Sequence, residues 1–422
     1  MKNPKVLMVI AVFYPYIGGA EKQAEKLAHE LIKKDIDVKV VTGRWSNALS
    51  SYETLNGLKI IRNRTNFLFF RKAGPDTSAG FFKERPEADK SGIVSRWLLL
   101  KKIYVRLSVY IYQLTLFLYL LSRRKSYDII HVHQVLYPAF ISSLCGSILK
   151  KPVIAKVGSS GFNSDINHIK KLPGGNVQLK YIFKRISRIV CTTKRMRQDF
   201  ISEGMDKNRI MIIRNGVNIE ELSRSYEKCE TFAYLGRFIK SKDLETLIRA
   251  FFKIIDTGNK NLKLIFIGDG PKKDDMIKLV KKLNIEKNIS FAGMVKNPAE
   301  ILKQSDAFVF PSLIEGLSNS LIEAMASGLP CIATNIPGNI EVLGDSRDNF
   351  EVKQGTYLAT KFGILFNPSD VEGLTEAIKY ILSSSDARKI TGENAFKKIK
   401  EEFDIHSIAD NYLKLYEDLT EF

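Results

Sequence analysis

The order of hydrophobic and polar positions along the chain predicts short buried strands that alternate with amphipathic helices. Residues 5–13 form a nearly uncharged apolar run, as expected for a strand that is buried on both faces. Residues 21–34 then place apolar side chains three or four positions apart, the spacing of one helix face. Further apolar runs, with glycine-bearing loops at their ends, follow in both halves of the chain. We therefore expect two successive α/β units.

Residues 306–334 show this pattern most clearly. Residues 307–310 are an apolar strand, residues 316–319 are a polar turn with a glycine, and a short helix follows. The first amides of a helix have no partner within it and lie at its positive end, so this turn is a candidate phosphate site. Glu315 before the turn and Glu323 in the helix are placed to accept hydroxyl groups. The alternative is an ordinary strand and helix whose two carboxylates are solvated.

Two stretches in the first half place candidate ligand-binding groups at predicted strand ends. Gly18 and Gly19 lie between the first strand and the first helix, where backbone amides can approach a phosphate or a sugar. Their pattern differs from G-x-G-x-x-G, which argues against a dinucleotide-dependent dehydrogenase. His131 and His133 lie in one strand and face the same way, because side chains alternate, and His133 is nearer the strand end. A structural role is the alternative for either histidine.

The loop after the first predicted strand of the second half contains Arg237 and Lys242. Arginine offers a planar fork of donors and lysine a point charge, so both side chains can bind a diphosphate. We find no histidine and carboxylate cluster with metal-ligand spacing, and we expect no bound metal. Asp35 and Asp37 form an acidic pair, but they fall between the first helix and the next strand, and we interpret them as turn residues.

Length and composition indicate a globular protein of two domains. The chain has 422 residues, of which 45% are hydrophobic and 26% charged. We expect a first domain over residues 1–220, a second over residues 221–404, and a helix over residues 405–422 that packs back toward the first. Residues 220–230 are expected to be a polar linker, and residues 62–95 a long connecting loop. Four cysteines without metal spacing and the absence of a signal-peptide pattern favour a cytoplasmic location.

Charge is distributed unevenly between the halves. Residues 1–220 contain 38 lysines and arginines and 16 carboxylates, whereas residues 221–422 contain 27 and 30. The two halves are therefore expected to face different partners. Nucleic acid, an anionic membrane surface and a phosphate-bearing acceptor are the alternatives for the basic half. The sequence has no nucleic-acid-binding motif, which disfavours the first of these.

The most hydrophobic stretch, residues 97–121, lies inside a segment, residues 90–125, that is basic and contains no acidic residue. Its uncharged part, residues 107–121, is shorter than the roughly 20 residues that span a bilayer. A transmembrane helix is thus the weaker alternative. We favour a helix that packs on the first domain and lies partly on an anionic membrane surface.

Together these motifs resemble those of glycosyltransferase family 4, whose members are retaining enzymes with the GT-B fold. The resemblance implies an α/β protein in which two Rossmann-like βαβ domains face each other across a cleft. It rests on Gly18-Gly19-x-Glu21, D-x-x-H-x-H at 128–133, N-G-V at 215–217, G-R-x4-K at 236–242, G-D-G-P at 268–271, E-x7-E at 315–323, P-G at 337–338 and G-x-L-F-x-P at 363–368.

The resemblance implies a catalytic role for four residues. Arg237 and Lys242 would bind the donor diphosphate and stabilise charge on the leaving nucleotide. Glu315 would hold hydroxyl groups of the donor sugar. His133 would lie near the C6 hydroxyl and the anomeric carbon of that sugar.

The resemblance implies donor binding by a second group of residues. They are Gly18, Gly19, Gly316, Leu317, Ser318, Asn319 and Glu323. The two early glycines would close over the diphosphate, the four residues of the turn would bind phosphate or sugar through backbone amides, and Glu323 would accept the ribose hydroxyls.

Three positions depart from the family pattern. Asp243 stands where glycine is common, Val157-Gly158 where a histidine is frequent, and Asn218 where aspartate is usual. None of them touches the predicted phosphate-binding cations, but the second bears on the acceptor side.

The expected activity is a metal-independent, retaining transfer of a hexosyl-type sugar from a nucleoside diphosphate sugar, of UDP or GDP type, to a saccharide acceptor. We expect no cofactor and a lipid-linked acceptor, in cell-surface polysaccharide or glycolipid synthesis. The expected location is peripheral, on the inner face of the plasma membrane. The alternatives are a sugar-nucleotide epimerase or a phosphorylase of the same fold and, from another class, a non-catalytic partner subunit or a nucleic-acid binder.

Overall fold

A computed structural model describes residues 3–15, 18–65, 92–159, 164–172, 174–345 and 350–420. For residues 92–106 of the long second helix it describes the backbone, and the side chains of that helix are described from residue 107 onward. The chain forms two compact units, and it contains two sheets. The first unit comprises residues 1–191, 196–213 and 409–422, and the second comprises residues 192–195 and 214–408.

The first unit is built on an eight-stranded sheet. Its strands, numbered along the chain, are β1 (Val6–Ile10), β2 (Val38–Arg44), β3 (Tyr52–Leu55), β4 (Leu58–Arg64), β5 (Ile129–His133), β6 (Val153–Lys156), β7 (Arg188–Cys191) and β8 (Ile210–Ile212). Their order is β3-β4-β2-β1-β5-β6-β7-β8, and only β3 and β4 pair in antiparallel fashion among the described strands. The strand order reverses between β1 and β5, which is the topological switch point where open α/β sheets bind ligands.

Six helices precede the second sheet in the described part of the chain. They are α1 (Gly19–Lys33), α2 (Gly92–Ser122), α3 (Tyr137–Leu149), α4 (Asp165–Lys170), α5 (Gly175–Arg185) and α6 (Lys194–Ser202). The apolar runs form the strands because each is buried; all five residues of β1, for example, are inaccessible to solvent.

The loop predicted over residues 62–95 is wrong at both ends, because residues 62–64 belong to β4 and residues 92–95 to α2. The charge of Arg62 concealed the strand. Its guanidinium is buried and forms an ion pair with Glu53 of the neighbouring β3 at 2.7 Å, a partner that composition alone does not reveal. Residues 66–91 of the predicted loop lie outside the described residues.

The most hydrophobic stretch forms α2, as its composition predicts. One face of this helix packs into the core of the first unit through Tyr112, Leu116 and Leu120. The opposite face, named here the apolar stripe, exposes at least half of each of four side chains: Leu107, Tyr110, Leu114 and Leu118. Among the helices that the structure describes, none combines the length and apolar character needed to cross a membrane.

The second unit is built on a seven-stranded sheet. Its strands are β9 (Thr231–Leu235), β10 (Lys263–Ile267), β11 (Ile289–Gly293), β12 (Ala307–Phe310), β13 (Cys331–Thr334), β14 (Tyr357–Ala359) and β15 (Ile364–Phe366). They lie in the order β11-β10-β9-β12-β13-β15-β14, with β14 antiparallel to β15 and the other neighbours parallel. The order reverses between β9 and β12, which gives this sheet its own switch point.

Eight helices follow β9 in the described residues. They are α7 (Leu244–Asp256), α8 (Lys273–Lys282), α9 (Pro298–Gln304), α10 (Asn319–Ala326), α11 (Pro337–Leu343), α12 (Val371–Ser383), α13 (Ser385–Glu402) and α14 (Ile405–Thr420). The first turn of α14, residues 405–408, groups with the second unit, and its remainder groups with the first.

The predicted linker over residues 220–230 is part of the second unit rather than a free connection. The Arg224 guanidinium donates to the Ser327 carbonyl at 3.0 Å. The buried guanidinium of Arg388 donates to the Tyr226 carbonyl at 2.8 Å. Both hydrogen bonds join this segment to residues that are distant in sequence. The polar composition of the segment does not reveal such bonds, so the linker prediction was wrong.

Candidate active site

The predicted catalytic residues of the second half lie at the switch point of the second sheet. The loop after β9 contains Arg237 and Lys242, and the loop after the neighbouring β12 contains Glu315. Because β9 and β12 are parallel, their carboxyl ends lie at the same edge of the sheet. The Leu313 amide donates to the Ser241 carbonyl at 2.8 Å and thereby ties the two loops together.

Lys242 and Glu315 form the centre of this site. The Lys242 ammonium donates to Oε1 of Glu315 in an ion pair, and the two side chains are only 15% and 14% exposed. Ser312 Oγ donates to the same carboxylate oxygen at 2.7 Å. The ammonium also lies 4.8 Å from the centroid of the Phe310 ring, a cation–π contact. These contacts fix the positions of both the cation and the carboxylate.

Arg237 supplies a second cation from the same loop. Its side chain is exposed, and no carboxylate among the described residues pairs with it. Its backbone carbonyl accepts from the buried Tyr234 hydroxyl at 3.2 Å, and the Phe238 amide donates to the Asp269 carbonyl at 2.9 Å. A Cβ on Gly270 would lie 2.6 Å from the Phe238 carbonyl oxygen. The G-D-G-P loop therefore supports the arginine loop by a backbone approach that only glycine permits.

The amino terminus of α10 lies at the same edge of the sheet. Asn319 is the first helical residue, and the Ser318 side chain caps the helix by accepting from the Leu321 amide at 3.3 Å. The positive end of the α10 dipole therefore lies at the same sheet edge as the loop that contains Arg237 and Lys242. A Cβ on Gly338 would lie 2.6 Å from the Glu315 carbonyl oxygen, so the P-G motif allows α11 to pack against this turn.

The remaining predicted donor-binding residues of the second half occupy the same turn and helix. Gly316 and Leu317 complete the turn, and the Leu317 side chain packs into the core of the second unit. Glu323 lies in α10 and is partly exposed. Asn215 of the N-G-V motif donates through Nδ2 to Oδ1 of Asn319 at 2.8 Å, so this motif positions the start of α10.

Gly18 and Gly19 lie in the first unit, at the start of α1 and beyond the carboxyl end of β1. Gly18 is the extended residue before the helix, and Gly19 is the first helical residue. A Cβ on Gly18 would lie 2.1 Å from Oε2 of Glu21. The G-G-x-E motif is thus a compact helix start in which the glutamate side chain occupies the space that a larger residue would need.

His133 lies at the carboxyl end of β5, stacked on His131 with 4.4 Å between ring centroids, so the prediction that both face the same way is confirmed. Nδ1 of His131 is hydrogen-bonded to the Tyr416 hydroxyl at 2.7 Å, whereas Nε2 of His133 has no partner among the described residues. Burial and the nearby Lys156 ammonium lower the pKa of His131 to about 3. Burial also holds the pKa of His133 well below its usual range. Both imidazoles are therefore neutral at pH 7.

The described ranges contain no group of three or more histidine, cysteine, aspartate or glutamate side chains arranged to hold a metal ion. Asp35 has a backbone φ of 61° in the turn after α1, and Asp37 accepts from Lys39 Nζ at 3.1 Å. The interpretation of this acidic pair as turn residues is therefore confirmed.

Two family models match the chain: Glycosyltransferase Family 4 over residues 17–221 and Glycosyl transferases group 1 over residues 218–398. The capsular polysaccharide biosynthesis glycosyltransferase CapH of Staphylococcus aureus is 30% identical over 284 residues, which cover 63% of this chain and 79% of CapH. The chain belongs to glycosyltransferase family 4.

Other comparisons place this family 4 glycosyltransferase among proteins of known fold. Anabaena HepE, solved in complex with UDP, matches with a TM-score of 0.69 at 14% identity, over 98% of this chain and all of that one. The predicted GT-B fold class is confirmed.

A further sequence relative is the Escherichia coli UDP-Gal:alpha-D-GlcNAc-diphosphoundecaprenol alpha-1,3-galactosyltransferase. It is 25% identical over 319 residues, which cover 72% of this chain and 78% of the relative.

Three residues of the glycosyltransferase contribute to these sites without having been predicted from the sequence. Ser312 orients Glu315, and the only signal was a serine three positions before that glutamate. Asn215 was recognised as part of a motif but not as a partner of α10. Lys156 lies beside His133, and the signal was a lysine within the apolar run of β6.

Proposed function

We propose that this glycosyltransferase moves a hexosyl-type sugar, with retention of configuration, from a nucleoside diphosphate sugar to a saccharide acceptor. The observation that carries the proposal is the ion pair of Lys242 and Glu315 at a sheet switch point, with Arg237 on the same loop. Two cations suit a diphosphate, and a largely buried carboxylate suits the hydroxyl groups of the sugar attached to it.

The proposed chemistry follows from the charges that develop during transfer. Breaking the bond between sugar and diphosphate creates positive charge on the sugar and negative charge on the departing diphosphate. Arg237 and Lys242 stabilise that negative charge, and fixed cations aimed at developing charge are usually the largest catalytic contribution. The departing phosphate takes the acceptor's proton while the acceptor attacks from the same face, which retains configuration. Because Arg237 and Lys242 stabilise the negative charge that develops on the departing diphosphate, the reaction needs no metal.

Different residues are proposed to bind different parts of the donor. Glu315 binds sugar hydroxyls while it holds Lys242 in place, and Glu323 accepts the ribose hydroxyls. Backbone amides of the turn from Gly316 to Asn319 bind phosphate or sugar at the positive end of α10. The uracil nucleotide bound to HepE, and the UDP-Gal in the name of the Escherichia coli relative, support a UDP-type donor over a GDP-type one.

Three residues of the first unit are proposed to contact the same donor. Gly18 and Gly19 approach its diphosphate through backbone amides, and neutral His133 hydrogen-bonds the C6 hydroxyl of its sugar. Support comes from their positions at the carboxyl ends of β1 and β5, the two strands that flank the switch point of the first sheet.

The acceptor is proposed to be a lipid-linked saccharide in cell-surface polysaccharide or glycolipid synthesis. The name of the Escherichia coli relative specifies an undecaprenol diphosphate saccharide acceptor, and CapH is named for capsular polysaccharide synthesis. The first name supports an acceptor anchored in a membrane, and the second supports polysaccharide synthesis.

The enzyme is proposed to be cytoplasmic and to bind the inner face of the plasma membrane peripherally. The supporting surface is the apolar stripe of α2, followed by the exposed residues Arg123, Arg124 and Lys125. Apolar side chains on one helix face insert at the headgroup boundary, and each basic residue near an anionic leaflet contributes ~1 kcal/mol. The combination fits an anionic bilayer surface better than a neutral one.

A panel of UDP-, GDP- and ADP-sugars, added to the whole protein during thermal unfolding, tests this function. A donor binds the native state and therefore raises the melting temperature. The stabilising sugar nucleotide, incubated without acceptor, should slowly release its nucleoside diphosphate. Absence of stabilisation by every member of the panel, or recovery of the sugar nucleotide as its epimer, would contradict glycosyl transfer.

A further inference from the structure

The first unit contains a buried cation that the proposed donor site does not use. Lys156 ends β6, pairs in register with His133 of β5, and is only 7% exposed. Its ammonium lies 5.8 Å from the centroid of the Tyr412 ring of α14. Among the described residues, no carboxylate pairs with this ammonium and no hydrogen bond is made to it. A buried charge without a counter-charge is unfavourable, so this ammonium is suited to bind an anionic ligand.

The titratable groups that surround this lysine in the described structure do not supply a negative charge. From β5, His131 and His133 are neutral because burial lowers the pKa of each. From α14, burial raises the pKa values of Tyr412 and Tyr416 well above the usual range of a phenol. In β7, burial raises the pKa of the Cys191 thiol, which interacts electrostatically with Tyr412, to about 12. Asp165, which interacts electrostatically with Cys191, accepts from the amides of Val135 and Gly158 and from the Ser159 hydroxyl, and it forms no ion pair with Lys156 in the described structure. The imidazoles, phenols and thiol around Lys156 therefore carry no negative charge at pH 7.

We propose that the Lys156 ammonium forms a subsite for a phosphate-class anion on the acceptor substrate. Lys156 neutralises the anion through a charge-assisted hydrogen bond to one of its oxygens. This lysine ends β6, the parallel neighbour of β5, near the switch point of the first sheet. Ligands of open α/β sheets bind at such strand ends.

The assignment of the anion to the acceptor rests on the proposed function, in which a lipid-linked saccharide carries a diphosphate. The anion subsite itself does not depend on that function. It requires only that an oxyanion bind next to Lys156, so the two can be tested separately.

Calorimetric titration of inorganic pyrophosphate into the whole protein, saturated with UDP or GDP to fill the donor site, tests the subsite. Pyrophosphate should bind the nucleotide-saturated enzyme. The Lys156→Met variant should bind it at least 10-fold more weakly, whereas Lys180→Met, which removes an exposed lysine of α5, should match the wild type. The methionine variant should melt no lower than the wild type, because it removes an unpaired buried charge at little cost in volume.

Three results distinguish the possible failures. Equal pyrophosphate binding by the wild type and Lys156→Met would overturn the subsite. Competition between nucleotide and pyrophosphate would assign the anion to the donor and overturn its place on the acceptor. If neither nucleotide binds, the proposed function fails, and pyrophosphate titrated into the nucleotide-free wild type and variant still decides whether Lys156 binds an anion.

A pH series on the wild type adds a measurement that needs no variant. Burial lowers the pKa of Lys156 to about 8, so the ammonium is present below that pH and lost above it. Sulfate keeps its charge over this range, and the neighbouring imidazoles, phenols and thiol do not titrate between pH 6 and about 9. Sulfate affinity should therefore be constant from pH 6 to 7 and fall about tenfold per pH unit above 8. Affinity that stays constant through pH 9 would contradict a role for Lys156.

Discussion

Lys242 lies between a carboxylate and an aromatic ring, and these contacts limit where its charge can act. Glu315 holds the ammonium, and the Phe310 ring covers one side of it. The pair is neutral as a unit, so the exposed Arg237 provides the net positive charge that attracts a diphosphate. Lys242 then stabilises charge that develops on the leaving group rather than charge already present in the free donor.

Replacing Lys242 with alanine should lower turnover about 100-fold or more, on the order of 3 kcal/mol, because a fixed cation is lost at the leaving diphosphate. Steady-state kinetics with the donor identified by thermal unfolding provide the measurement. Lys240→Ala is the matched control, since Lys240 is an exposed lysine in the same short turn. Wild-type turnover in the Lys242 variant would remove this residue from the mechanism.

Substitutions of Glu323 and Glu315 should affect different steps, nucleotide binding for the first and sugar transfer for the second. Glu323→Ala should weaken binding of the free nucleoside diphosphate, because the ribose loses its acceptor. Glu315→Gln should leave that binding intact but reduce transfer strongly, because the sugar hydroxyls and Lys242 lose a charged partner. Calorimetry with UDP and GDP, together with transfer assays on both variants, gives the comparison. Opposite results for the two variants would mean that their roles are exchanged.

At the scale of the elements, the sequence predicted the strands and turns that depend on the local pattern of residues. Apolar runs predicted β1 and β12, and a glycine-bearing stretch after β12 predicted the turn that follows Glu315. Contacts between distant residues were not predictable from those patterns. Ser312 reaches Ser241, and Arg388 binds the backbone at Tyr226, 162 positions earlier in the chain. Such side-chain contacts depend on the folded arrangement, and a single sequence carries no signal for the partner.

The α2 helix should determine membrane binding through its apolar stripe and its basic end. Replacing Arg123, Arg124 and Lys125 with serine should reduce sedimentation with anionic vesicles, since each charge contributes ~1 kcal/mol that salt screens. Leu114→Glu should do the same by placing a charge on the stripe. Lys281→Ser with Lys282→Ser, an exposed pair on α8, provides the control.

Sedimentation should be compared on vesicles with and without anionic lipid, at low and high salt. The wild type should bind anionic vesicles at low salt and lose that binding as salt rises. Binding that ignores both lipid charge and salt, or no binding, would contradict peripheral docking and favour a soluble acceptor.

At the scale of the whole molecule, the two halves of the chain differ in net charge and in the candidate binding residues that they contain. The slightly acidic second half contains Arg237, Lys242 and Glu315, and the strongly basic first half contains α2 and Lys156. A donor handled by the second unit and an anionic, membrane-anchored acceptor handled by the first would account for this division. Family membership and the two-sheet fold followed from motifs spread over the chain, whereas the sugar, acceptor and linkage depend on side-chain surroundings that motifs do not encode.

Proton NMR of the first product formed, in excess chelator and with the donor found by thermal unfolding, decides whether this glycosyltransferase works by metal-free retaining transfer. The anomeric signal reports the configuration of the new bond before the product can equilibrate. We predict the configuration of the donor and a rate equal to that with added Mg²⁺ or Mn²⁺. An inverted product, or a rate that chelator abolishes and metal restores, would contradict transfer driven by Arg237 and Lys242.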